Sequence, residues 1–290
     1  MGYDVAMRFA LLALAALVGA QEPAGTPIWW SLKKGQRLRY EFNHRLVTGD
    51  KTQTTQTELT LGVALEGGDL GADRTNAVAL TFERIALTKS GHGDREDYDS
   101  ARDKEPPKGS YPRVLSKCVG KTLNMRISAS GSLVNSEVIR KMIQAAVDSW
   151  PDLKGRDKWD EKGVTVVARR LEWLLRLGLE TPKGGPAAVG DTWETKYEND
   201  DVTAGLGKAV CRARLKELKA GEAIVEQTVK FDLAGPMAAA VKEATGKGTF
   251  AWDTEGGFLK TLGATSKIVT IKGDASHTVT VALLREEPKK

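Results

Sequence analysis

The side chains of this sequence best suited to chemistry are the carboxylates Asp94, Glu96, Asp97, Asp99 and Asp103, which crowd together with Ser100. Oxygen donors at that density suit calcium, or paired acids for a hydrolysis, but the ordered spacing and closing glutamate of an EF-hand loop are missing. The surrounding stretch, Ser90 to Pro112, is polar and rich in Gly and Pro and reads as a long solvated loop. Histidines are few: His44 and His277 occupy apolar strand faces and His92 lies in the acidic stretch. There is no HExxH, no His/Cys cluster and no Gly-x-Ser-x-Gly elbow. Gly120-Lys121-Thr122 resembles the end of a phosphate-binding loop, yet Leu115 stands where the leading glycine belongs and a strand follows. Gly205-Leu206-Gly207 lacks the third glycine and the helix whose N-terminus would hold a pyrophosphate. No catalytic residue, metal set or cofactor is assigned.

Cys118 and Cys211 are the two cysteines, and neither lies in a CxxC arrangement. In an oxidising compartment they form a candidate disulfide. That compartment is indicated by the apolar run Phe9 to Val18, preceded by Arg8 and followed by Val18-Gly19-Ala20, small residues of the kind signal peptidase accepts. Cleavage is expected before Gln21, which makes the mature protein secreted or periplasmic; Asp4 is out of place in a positive n-region, so Met7 is an alternative start. The run is too short to span a bilayer, and no later segment is long and apolar enough. Net charge is +5, with the basic residues dispersed. Arg37, Arg39 and Arg45, with Arg212, Arg214 and Lys216, nevertheless outline a surface that could take a polyanion, although nucleic acid is not expected as a partner.

Strands must position all of these groups. Leu38, Tyr40, Phe42, His44 and Leu46 alternate with Arg37, Arg39, Glu41, Asn43 and Arg45, the period of a half-buried strand. Leu59, Leu61, Val63 and Leu65 repeat the pattern. Val78, Leu80 and Phe82 do so too, before Ile85 and Leu87 change phase, which predicts a β-bulge or a strong twist near Glu83-Arg84. Leu123 to Ser128 and Ser132 to Val134 flank Ser130-Gly131 as a hairpin.

Ser136 is placed as the N-cap of a helix bearing Val138, Ile139, Met142, Ile143, Ala146 and Trp150, closed by Pro151. A second helix carries the stripe Val164, Val167, Ala168, Leu171, Leu174 and Leu175, with a Glu172–Arg176 pair on its polar side, and ends at Gly178 and Pro182. Strands then resume through Ala209 to Leu215, Val225 to Leu233, Thr249 to Asp253, Phe258 to Leu262, Ile268 to Ile271 and Val279 to Leu284, with an irregular Ala-rich span from Pro236 to Thr245. Trp29-Trp30 and Trp173 fall outside these periodic faces and suit docking between the halves.

Gly35-Gln36-Arg37-Leu38 and Gly190-Asp191-Thr192-Trp193 each launch an aromatic-bearing strand, so the second half replays the first. The fold expected is mainly β (α+β): two antiparallel β-sheet halves, half-barrel or sandwich-like, joined by a helical connection. The divisions are a leader at 1–20, a first β-rich half at 21–135, the helices at 136–188 and a second β-rich half at 189–290.

With Val189-Gly190-Asp191-Thr192-Trp193, the Ser130-Gly131-Ser132-Leu133 hairpin and the Ser136-capped helix, this order resembles a family of secreted bacterial β-rich proteins of unknown function. The resemblance implies no assigned activity and transfers no site residues.

The function expected is non-catalytic, extracytoplasmic binding or association with the cell envelope. An apolar or amphipathic small molecule would lie between a sheet and the helices, against Tyr40, Phe42, Leu61, Leu171 and Leu174. Two alternatives stand beside it: an extracytoplasmic hydrolase using the Asp94–Asp103 carboxylates, and a polyanion-binding surface.

Overall fold

The computed structural model describes residues 25–49, 54–91, 94–106, 110–153, 161–179, 183–198, 208–232, 241–270 and 273–287. The expected leader, His92 and the Gly205-Leu206-Gly207 motif lie outside them. In chain order the elements are β1 (Thr26–Ile28), β2 (Arg37–Gly49), β3 (Thr54–Leu70), β4 (Asn76–Gly91), β5 (Asp94–Asp99), α1 (Ser110–Ser116), β6 (Thr122–Ile127), α2 (Glu137–Asp148) and α3 (Glu161–Leu179). They continue with β7 (Gly185–Ala187), β8 (Thr192–Glu198), β9 (Lys208–Lys219), β10 (Glu222–Asp232), β11 (Val241–Asp253), β12 (Phe258–Thr270) and β13 (Asp274–Glu287).

The fold is mainly β, as the alternation predicts. An 11-stranded antiparallel sheet runs β5-β4-β3-β2-β13-β12-β11-β10-β9-β8, with β6 also paired to β4, and β1 and β7 make a small second sheet. The strands of each sequence half are contiguous in the large sheet, and the halves meet where β2 pairs with β13, from Arg37 opposite Glu287 to Gly49 opposite Asp274. The chain-halving glycine turns are both real: Gly35 and Gly190 have φ of 75° and 96°, backbone that only glycine adopts at little cost.

One face of these strands is buried in a single core together with the helices. On β2, Leu38, Tyr40 and Phe42 are sealed, while Arg37, Arg39 and Glu41 remain partly exposed. The phase change on β4 is a bulge: Gly62 pairs with Arg84 and Val63 with Phe82, so Glu83 is the extra residue, and Phe82 and Ile85 both turn inward. The α3 stripe Val164, Val167, Ala168, Leu171, Leu174 and Leu175 is buried as expected, and Arg176 pairs with Glu172 at 3.6 Å. The helices pack chiefly on β2, β4, β6 and β12. Ten strands abreast would span about 45 Å if flat, whereas a helix is about 10 Å across. The two long helices are far narrower than such a sheet laid flat.

The end of the sheet bearing the β3–β4, β9–β10 and β11–β12 turns is tied shut by the segment after β1. Trp30 N donates to Ala129 O at 2.9 Å and Ser31 N to Gly257 O at 3.0 Å. The Trp30 ring meets Trp252 edge-on at 5.1 Å, and its Nε1 donates to Leu179 O, the end of α3, at 2.7 Å. Trp30 thus joins the first half, the helices and the second half, the docking role its position suggested; nothing is described of the Trp173 side chain.

The structure corrects three local expectations. Asp94–Asp99 is an edge strand, not loop, because Tyr98 opposite Leu87 gives it one buried anchor. The strand after Gly131 shrinks to one bridge, Ile127 to Leu133. Ser136 precedes α2 but is itself helical (φ −66°, ψ −12°) and makes no side-chain cap, so the capping geometry is absent.

Candidate binding site

The register of the large sheet aligns its inward residues in rows that cross it. One row reads Leu215, Val225, Phe250, Leu262, Val281, Phe42, Leu61 and Ile85, from β9 to β4, and every member is buried. All are large and apolar, and β-branched and aromatic neighbours across strands stabilise such a ladder. It is the floor of the inner face.

Two residues further along each strand, away from the tied end, the next row contains Ala213, Gln227, Gly248, Ala264 and Val279 on β9 to β13, then His44, Leu59 and Leu87 on β2 to β4. The row beyond has Cys211, Val229, Gly246 and Ser266 on β9 to β12, then Leu46 on β2. Bulk falls away abruptly on one half of the sheet: above Phe250 sit Gly248 and Gly246, and above Leu262 sit Ala264 and Ser266. The smaller side chains lower this part of the wall into a shallow recess, shallow because the position of a Cβ at Gly248 is already met by Gly263 O at 2.8 Å and by Ala264 Cβ and Gln227 Nε2 at 2.9 Å. Gly248, Ala264, Gly246, Ser266, Val229 and Leu46 are half-buried, in contrast to the sealed floor.

Tyr40, Phe42, Leu61, Leu171 and Leu174 are brought together, each at most 1% exposed, in the core that fills the space between sheet and helices. Tyr40 Oη donates to Leu259 O at 2.8 Å, and burial pushes its phenol well above the ordinary range. In this arrangement the five side chains pack against protein, and the half-buried surface begins past Phe42 and Leu61. Gly246, Gly248, Ala264 and Ser266 escape a reading by periodicity because Ala and Gly weaken the strand signal: β11 begins at Val241, inside the span expected to be irregular. The available signal was Gln227, a polar residue at an inward position between Val225 and Val229.

The carboxylates are arranged differently from a catalytic pair. Arg84 holds Asp99 through Nε at 3.1 Å and Nη2 at 2.7 Å and lowers its pKa. Arg102 reaches Asp103 at 2.8 Å and Asp97 at 3.3 Å, and its hydrogen bond depresses Asp103 to about 2. Asp99 and Asp103 are thereby held as ionised partners of arginines, whereas general acid catalysis calls for a raised pKa. Among the described residues no group of His, Cys, Asp and Glu is placed to hold a metal. Gly120-Lys121-Thr122 turns directly into β6, so no helix N-terminus stands there.

The basic rows are largely neutralised by their neighbours. Arg37 meets Glu83 at 2.7 Å, Arg39 meets Glu83 at 3.0 Å and Glu287 at 2.8 Å, and Arg45 meets Glu58 at 3.3 Å. Arg212 pairs with Glu194 and Lys216 with Glu226, both at 2.6 Å, leaving exposed Arg214 between them. Each pair adds little stability, but together they offset much of the positive charge along these rows.

Cys118 and Cys211 are free, buried thiols, so the candidate disulfide is not formed. Cys118 lies in the turn after α1 with its Sγ toward Val114 O at 3.6 Å, and Cys211 on β9 donates to Gln227 Oε1 at 3.3 Å. Strand pairing and helix packing fix them on separate elements. Burial raises Cys118 to about 12 and Cys211 to about 11, which suppresses both thiolates at neutral pH. A thiol reagent should therefore label neither cysteine in native protein and both in denaturant without reductant. Failure of either to label after unfolding would show that a disulfide forms.

No family model matches the sequence, and a search of curated proteins finds no match. Among solved structures, one described as lipid–protein interactions in lipovitellin is similar, with a TM-score of 0.51, 10% identity, and coverage of 90% of this chain and 26% of that chain. The chain therefore spans about a quarter of that protein's length, and the likeness is one of fold. A β-barrel-like protein of the domain of unknown function DUF1849 from Brucella abortus overlaps 86% of this chain at 9% identity, but its TM-score of 0.21 carries no weight. Among the described residues no helix is long and apolar enough to cross a membrane. What the chain is similar to, then, is a β-rich sheet architecture.

Proposed function

We propose that this protein is a non-catalytic, extracytoplasmic binding protein whose ligand is an apolar or amphipathic small molecule held on the inner face of the large sheet. The observation that carries the reading is the in-register step from a sealed floor of Leu, Val, Phe and Ile to the Ala, Gly and Ser positions of β9, β11 and β12. A wall of packed side chains that loses its bulk over two rows makes a concave, mostly apolar surface of the kind small ligands occupy. The sealed residues Tyr40, Phe42, Leu61, Leu171 and Leu174 serve as its rigid base, and an acyl or similarly elongated chain would lie above them. The fold likeness to lipovitellin, whose structure concerns lipid–protein interactions, supports the same direction. The apolar run Phe9 to Val18 supports export.

Diphenylhexatriene, a neutral hydrocarbon dye that fluoresces in apolar surroundings, tests the reading. The wild-type protein should bind it saturably. Ala264→Phe, which puts a ring into the recess from a half-buried position, should weaken binding by about tenfold or more, equivalent to roughly 1.4 kcal/mol. The variant's melting temperature should stay close to that of wild type. A wild-type protein that leaves the dye dark, or an Ala264→Phe variant that binds it unchanged, removes the recess as the site.

A further inference from the structure

Among the described residues the large sheet ends at β5, β6 and β8, and the three edges are finished differently. On β6 the outer backbone groups are already taken: Arg126 N donates to Asn135 Oδ1 at 2.9 Å, Val134 N to Arg126 O at 2.9 Å, and Asn135 Nδ2 to Asn124 O at 3.1 Å. β5 carries Asp94, Glu96, Asp97 and Asp99 within six residues, so a copy of itself paired alongside would bring carboxylates together. Covering an edge and charging it are the ordinary ways to keep other strands off. β8 has neither protection. Among the described residues no strand lies beyond it, it contains no proline, and the charges along its outer face alternate in sign as Glu194, Lys196 and Glu198.

Backbone direction decides which groups of β8 are open. Asp191 O accepts from Leu215 N on β9 at 3.0 Å, and along a strand alternate residues turn their N–H and C=O the same way. Trp193, Thr195 and Tyr197 therefore bond to β9, whereas Thr192, Glu194, Lys196 and Glu198 turn their backbone groups away from the sheet. We propose that β8 pairs antiparallel with β8 of a second copy of this chain, about a two-fold axis between the two Thr195 residues, so that two sheets become one. In that register Glu194 lies opposite the partner's Lys196, and Lys196 opposite the partner's Glu194. Both charge pairs are attractive, and the same residues exchange the backbone hydrogen bonds that the edge leaves open. Trp193 falls opposite the partner's Tyr197 and Thr195 opposite the partner's Thr195, aromatic and threonine pairings of the kind that stabilise adjacent strands. Shifting the axis by one residue either way would set Glu194 against Glu194 or Lys196 against Lys196, so charge opposes the neighbouring registers. Arg212 on β9 already meets Glu194 at 2.6 Å, which makes the charges across the junction alternate from Arg212 to Glu194 to the partner's Lys196. Glu194 and Lys196 are exposed in the single chain, so reversing them tests the contact without disturbing the core.

Sedimentation velocity of the purified protein across a concentration series is the test. Wild type should dimerise with a dissociation constant in roughly the micromolar range, as suits an interface confined to one strand edge and its flanks. Glu194→Lys and Lys196→Glu each turn both cross-strand pairs into like-charged ones. Each should weaken dimerisation about tenfold or more with an unchanged far-ultraviolet circular dichroism spectrum. Mixing the two variants sets opposite charges at both pairs again, so the mixture should recover a dimer that neither variant forms alone at that concentration. The double variant Glu194→Lys, Lys196→Glu should also dimerise, because its charges are exchanged rather than lost. A wild-type protein that stays monomeric throughout the series overturns the proposal. A dimer that survives both reversals lies on another surface and overturns it as well. A mixture of the two folded variants that remains monomeric overturns the pairing centred on Thr195.

Discussion

Replacement of Trp30 by alanine is expected to lower the free energy of unfolding by about 3–5 kcal/mol, the range for deleting a large buried aromatic. The ring is 2% exposed and leans edge-on against Trp252 at 5.1 Å. Its Nε1 also donates to Leu179 O, which is left without that donor when the indole goes. Collapse around the hole is impeded on one side, because Gly131 already touches this junction: a Cβ at 131 would overlap the Leu179 carbonyl. Trp30→Phe separates the two contributions, retaining most of the ring packing but removing the donor, and should cost about 1–3 kcal/mol. Urea unfolding of the three proteins measures this directly. A Trp30→Ala midpoint indistinguishable from wild type would mean that the strap after β1 does not hold the helices to the sheet.

A loss of at least comparable size is expected for Leu171→Asp. Leu171 lies in the middle of the α3 stripe and is fully buried, and α3 packs on β2 and β12. A carboxylate there must either ionise without a partner or take up a proton, and both cost free energy on top of the lost apolar contact. The combined effect should reach about 4 kcal/mol or more, enough to unfold a domain of ordinary stability. Arg140→Ala, on the exposed side of α2, should stay within about 0.5 kcal/mol of wild type. Paired thermal melts at one pH give the comparison. Equal melting temperatures for the two variants would show that α3 is not seated on the sheet, and the recess would lose its base.

The seating of α3 illustrates what the order of residues determined unaided. The stripe from Val164 to Leu175 has one solution as an amphipathic helix, and the alternation of β2, β3 and β4 has one as strands with a single buried face, because the periods 3.6 and 2 are properties of the local backbone. The bulge at Glu83 was equally local: two apolar phases in one strand require an extra residue between them. Glycine turns at Gly35 and Gly190 marked where each half begins, and the isolated Trp29-Trp30 pair marked a docking point.

Pairing across long separations was decided elsewhere. That β2 lies against β13, merging the halves into one sheet, depends on hydrogen bonds between residues more than two hundred positions apart, which no local pattern encodes. The same holds for Asp94–Asp99, whose polar residues look solvated until β4 supplies a partner edge. It holds too for the cysteines, which the fold places in the turn after α1 and on β9. The recess is the clearest case. Ala213, Gly248, Ala264 and Ser266 are unremarkable small residues in three different strands, and Gln227 is one polar residue in an alternating run. Only the register sets them side by side above a row of large apolar side chains. Concavity arises from the volume missing between neighbours, and in an antiparallel sheet the neighbours are assigned by tertiary pairing.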